Sequence, residues 1–144
     1  MRLKQLSLFL ENQPAHLRHP CRILADAGIN IRTLSLADAE QFGILRLIVA
    51  DWQRAQAVLE EAGCAERVDE VVALDGDDER GGLAEVLAVL EGGGHNVEYI
   101  YAFTAGRSGR AVLIMRFRDT DAAIATLRAG GVRVLEAAEL LGGG

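Results

Sequence analysis

The side-chain amides of Asn12 and Asn30 stand at the two ends of one helical pattern, and an amide accepts from a cation and donates to an anion at once. Asn96 repeats the position of Asn30 later in the chain, and there the carboxylates Asp77 and Asp78 replace the acid–amide pair Glu11 and Asn12. These residue types suit binding rather than bond-breaking. The histidines His16, His19 and His95 have no nucleophile or acid at a spacing that would make a catalytic pair, so capping or surface roles are the plainer reading and no catalytic residue is assigned. Cys21 and Cys64 stand far apart without metal-like spacing and read as buried small apolar residues, with neither metal nor disulfide. The run AGRSGR, residues 105 to 110, lacks the lysine and hydroxyl of a phosphate loop and lies between two strand patterns, which makes it a hairpin. No cofactor is called for.

The elements that must position these residues come in two copies. ENQPAHLRHPCRILADAGINI lies over DDERGGLAEVLAVLEGGGHNV without a gap, matching Leu17 to Leu83, Gly28 to Gly94 and Asn30 to Asn96. Further on, DWQRAQAVLEEAG lies over DTDAAIATLRAGG, matching Asp51 to Asp119, Leu59 to Leu127 and Gly63 to Gly131. Each copy begins with a strand, residues 3 to 10 or about 70 to 76, followed by a helix with one apolar face: Leu17, Cys21, Leu24 and Ala25, or Leu83, Val86, Leu87 and Leu90. Two strands follow, 29 to 36 and 44 to 50 or 96 to 103 and 111 to 118. A second helix capped by Asp51 or Asp119 comes next, and a short strand near 66 to 69 or 132 to 136 closes each copy. Pro20 falls inside the first helix pattern, so either that helix starts late with His19 as its cap, or its opening turn is distorted. The expected fold class is α+β, two ferredoxin-like βαββαβ repeats, 1–69 and 70–144, each an antiparallel four-stranded sheet with both helices on one face.

Half of the 144 residues are apolar and a quarter are charged, the balance of a packed domain. With 15 Lys and Arg against 21 Asp and Glu, the net charge of −6 argues against nucleic acid as a partner, and the third-strand patterns lack the aromatics an RNA-binding sheet needs. No apolar run reaches the roughly 20 residues that cross a bilayer, and charge comes too early at the N-terminus for a secretory signal, so no membrane role and a cytoplasmic location are expected.

The segment LENQPAHLRHPCRILADAGINI resembles the opening of an ACT domain, in which an acidic-Asn-x-Pro-Gly loop precedes a helix ending in Gly-x-Asn-Ile. Ala15 stands where that family has Gly, and Arg80 where its Pro would be in the second copy. With GGGHNVEYIYAF in the second copy, the whole chain resembles standalone tandem ACT proteins, which have no attached enzyme. The resemblance implies paired units that bind amino acids beside the first loop and helix start, and regulation rather than catalysis. It places a first site at Asn12, Gln13, Ala15, Leu17, Asn30 and Ile31, where the backbone at the helix start would face a carboxylate. A second, more acidic site falls at Asp77, Asp78, Gly82, Leu83, His95, Asn96 and Tyr99. For Asn30 the plain alternative is a turn residue, and for Tyr99 and Tyr101 it is packing on one strand face. The expected function is thus a non-catalytic regulatory module for a free amino acid or similar metabolite, present as a homodimer and acting on an unidentified regulated protein. The alternatives are a structural or partner-binding protein without a ligand, and a small enzyme on the same fold.

Overall fold

Leu6, Leu8 and Leu10 alternate with Gln5, Ser7 and Phe9, so the first strand presents its leucines to one side of a sheet. The computed structural model describes residues 2–11, 13–37, 42–76, 82–105 and 110–141. It divides into two compact units, one of Lys4–Asp69 and one that runs from Glu70 onward and takes in Arg2 and Leu3.

The first unit holds β1 (Leu3–Glu11), α1 (Pro14–Asp26), β2 (Ile31–Ala37), β3 (Phe42–Val49), α2 (Trp52–Glu61) and the start of β4 (Glu66–Asp75), with strand order β2-β3-β1-β4. Antiparallel pairing sets Leu6 opposite Leu47 and Leu8 opposite Leu45. Leu24 of α1 and Ala55 and Leu59 of α2 close over these leucines, and all seven are at most 1% exposed. Each fully buried leucine contributes about 2 kcal/mol of apolar transfer, so this layer is what docks both helices on one sheet face.

The second unit repeats the plan with the remainder of β4, α3 (Gly82–Gly92), β5 (Val97–Ala105), β6 (Arg110–Phe117), α4 (Thr120–Ala129) and β7 (Val134–Leu135), in the order β7-β4-β6-β5. A short α5 (Ala137–Leu141), absent from the sequence pattern, follows. Val72 faces Met115 and Leu74 faces Leu113 across β4 and β6, and Leu90, Ala123 and Leu127 cover them. Local devices recur as well. Asp51 and Asp119 cap α2 and α4 by accepting from the amides of Arg54 and Ala122 at 3.1 and 3.0 Å. The first helix of each unit ends at a glycine with φ of +73° (Gly28) or +74° (Gly94), where the following amide returns to Leu24 or Leu90. Both edge strands β2 and β5 carry a register shift at matching places, Ile31/Thr33 and Val97/Tyr99.

Three sequence expectations change. The strands expected at 66–69 and 70–76 are one strand, β4, because ERVDEVVALD contains no glycine, proline or asparagine to break it. The late start of the first helix does not occur: α1 begins at Pro14 and carries Pro20, which is buried, in its interior. The apolar face of α3 is only partly a core face, since Leu90 is buried while Leu83 and Leu87 are 46% and 41% exposed.

Candidate functional site

Where β1 ends, its last residues, α1 from Ala15 to Ala25 and the turn from α2 into β4 enclose an open groove of about 990 Å³. The three walls meet because the Phe9 amide donates to the Ala65 carbonyl at 3.1 Å, which ties the α2–β4 turn to the strand end. The turn itself is shaped by Gly63, whose φ of +81° lets the Cys64 amide reach back to the Leu59 carbonyl at 3.0 Å.

The groove's polar side chains come mostly from α1: His16, Arg18, His19 and Arg22, with Glu11 at the end of β1. His16 Nδ1 lies 3.8 Å from a Glu11 carboxylate oxygen. Arg22 is engaged with Asp26, one turn along α1, through Nε and Nη2 at 3.0 and 2.8 Å. Arg18 and His19 have no ion pair among the described residues. The helix start leaves further capacity. Gln13 makes no side-chain cap to α1, and no acidic residue lies in the first turn to offset the dipole. Pro20, without an amide hydrogen, cannot return a hydrogen bond to the His16 carbonyl four residues back.

Cys21 and Cys64 both line this groove and are half-buried rather than buried. Burial pushes the Cys64 thiol above its ordinary value, which keeps it neutral and a poor nucleophile. Among the described residues no group of three His, Cys, Asp or Glu side chains is arranged to hold a metal ion.

The second unit has a groove at the matching place, about 500 Å³, between the end of β4, α3 and the turn from α4 into β7. The same tie shapes it, here from the Asp75 amide to the Arg133 carbonyl at 3.1 Å. Its charges are Asp75, Glu85 and Arg133, and Arg133 is held by Asp75 at 3.1 Å and by Glu139 at 2.6 Å.

Of the residues expected in the first site, Ala15 lines the groove, Gln13 caps α1 by its backbone position, and Leu17 lies on α1 outside the lining. Asn30 is exposed and Ile31 half-buried just beyond the far end of α1, and neither is among the residues lining the groove. In the second repeat Gly82 and Leu83 line the smaller groove. His95 does not reach it. Its Nε2 lies 2.8 Å from Thr126 Oγ1 and its ring meets Phe117 edge-on at 6.4 Å. Asn96 is exposed, and Tyr99 sits half-buried on β5 opposite Arg116. Asn12, Asp77 and Asp78 lie outside the described residues. Arg18 carries no expectation from the sequence and His19 only a capping or surface one; their adjacent placement, after a helix start without acids, is the available signal. Nothing in the sequence pairs Cys21 with Cys64.

The doubled βαββαβ order, with a groove beside each first helix, defines a tandem ferredoxin-like protein. The chain belongs to the family of ACT domain pairs, whose model matches residues 1–139. Among solved structures it is similar to protein BT0572 from Bacteroides thetaiotaomicron, with a TM-score of 0.89 and 35% identity over 97% of this chain and 96% of that one. The regulatory subunit of aspartate kinase from Thermus thermophilus, in its ligand-free form, shares the fold with a TM-score of 0.64 and 18% identity over 90% and 93% of the two chains. Aspartokinase III of E. coli, solved with aspartate and ADP, matches over 90% of this chain but 32% of its own, with a TM-score of 0.56 and 26% identity. No curated protein matches the sequence.

Proposed function

We propose that this chain is a non-catalytic regulatory module that binds a free amino acid or similar small metabolite in the groove at the start of α1. The observation that carries the reading is the pairing of opposite capacities in that groove. Arg18, His19 and the uncapped start of α1 suit a carboxylate, while Glu11 and the His16 carbonyl suit an ammonium group. Family membership supports it, as does the resemblance in fold to regulatory subunits. No nucleophile–base pair is needed for such a role, and none is assigned.

We further propose a homodimer acting on a regulated protein partner in the cytoplasm. The dimer reading draws on β2, an edge strand whose Leu34 and Leu36 are 60% and 51% exposed, because an unpaired apolar edge favours a second copy. Among the described residues no helix is long and apolar enough to cross a membrane.

Thermal-shift measurements with each of the common amino acids test the function. A ligand at 100 times its dissociation constant raises stability by about 2.7 kcal/mol. If none of the amino acids moves the melting curve, a structural or partner-binding role takes the place of ligand sensing.

A further inference from the structure

Among the described residues, the charged side chains lining the groove of the first repeat are two guanidinium groups, Arg18 and Arg22, and one carboxylate, Glu11. The imidazoles of His16 and His19 lie beside them in the described lining. Glu11 already faces His16 at 3.8 Å, and the Asp26 carboxylate that holds Arg22 is not part of the lining. A zwitterionic amino acid brings one carboxylate and one ammonium, so it leaves the balance of the groove unchanged. One more negative group on the ligand would meet Arg18 or Arg22, and the planar guanidinium binds a carboxylate through two parallel hydrogen bonds.

The matching groove of the second repeat has the opposite balance. Among the described residues Asp75 and Glu85 outnumber Arg133, and Arg133 is committed to Asp75 and Glu139. A second anionic group there would face these carboxylates, while Arg133, the cation of the described lining, is already paired.

Resting on the function proposed above, we infer that the first-repeat groove selects a small dicarboxylate, an amino acid with an anionic side chain, and that the second-repeat groove does not take it. The ligand's α-carboxylate and side-chain carboxylate divide between the helix start with His19 and the guanidinium of Arg18, and its ammonium sits at Glu11.

The test is calorimetric titration of the whole chain with L-aspartate, L-glutamate, their amides L-asparagine and L-glutamine, and the ammonium-free dicarboxylates succinate and glutarate. Each titration is repeated on Arg18→Gln and on Arg54→Gln, which removes an equal charge from the exposed face of α2. The expected result is one site per chain, at least tenfold tighter for an acid than for its amide. Arg18→Gln should abolish that preference and Arg54→Gln should retain it. Iodoacetamide labelling of Cys21 and Cys64, both in the groove lining, should slow when aspartate or glutamate is bound. If the amides or other neutral amino acids bind as tightly as the acids, the charge inference falls and the amino-acid reading stands. Binding of succinate or glutarate without any amino acid would overturn the amino-acid reading and leave the charge inference standing. Binding that leaves the cysteines unprotected overturns the assignment to this groove, and no binding by any of the six overturns both.

Discussion

The two grooves occupy the same place in the same fold, yet one is wide and basic and the other is narrow and acidic. The cores beneath them do not account for this, because the buried layers correspond position for position except at Ile29, where the second repeat has His95. The difference comes from positions that face outward on the first helix and from the turns beside it. His16, Arg18, His19 and Arg22 correspond to Gly82, Ala84, Glu85 and Ala88. Ala62 in the first turn corresponds to Gly130 in the second, where the Val89 side chain packs so closely that an added Cβ would lie 2.5 Å from its Cγ1. A duplicated scaffold has thus kept its packing while the two groove-facing surfaces diverged, which is what is expected when the core is constrained by shape and the surface is not.

The strongest way to break this comparison is through the shared core. Leu24→Ala and Leu90→Ala remove matching side chains that are 0% and 1% exposed, and each should cost about 2–5 kcal/mol in urea denaturation. Costs differing by more than about 3 kcal/mol would show that the two cores are not equivalent. Next comes the contact that distinguishes the turns. Gly130→Ala should destabilise by about 1–3 kcal/mol through collision with Val89, although the first repeat carries alanine at the same position. Because φ at Gly130 is −84°, the cost is steric rather than conformational, and a melting curve unchanged by the substitution would show that Val89 yields freely.

The smallest effect sharpens an electrostatic contrast. Glu66 of the first repeat corresponds to Val134 of the second, and its carboxyl is raised above the ordinary value by burial and by the neighbouring Glu60. A carboxyl raised in the folded state costs stability when ionised, so the penalty is present above its titration and vanishes as pH falls below the ordinary value of 4.5. Glu66→Gln should therefore raise Tm by no more than about 2 °C at neutral pH, with the gain lost below that value. A gain that persists at low pH would point to a cause other than charge.

Much of the architecture was legible because it depends on local chemistry. Alternation in the strands, the Asp51 and Asp119 caps and the glycines that end the first helices are each readable within a few residues of the position concerned. The two strands expected to abut over 66 to 76 are a single β4, because a strand that ends one repeat and begins the next shows no change of pattern at the boundary. Leu83 and Leu87 were misread for another reason: helical periodicity reports which residues share a face, and it does not report how far the sheet extends beneath that face. The site was less legible still. Ala15, Gly82 and Leu83 were placed at groove walls by their position near helix starts, whereas Asn30 and Asn96 were grouped with them although a full helix lies between.

What the sequence by itself determined is the doubled element order and the acidic or basic character of each helix start, since periodicity, capping and charge are properties of neighbouring residues. Tertiary structure alone decided that Cys21 and Cys64 share one groove and that His95 is occupied by Thr126. It also decided that the turns after α2 and α4 form the far walls. Those relations join residues distant in the chain, and only the packing of helices on a sheet sets the distances between them.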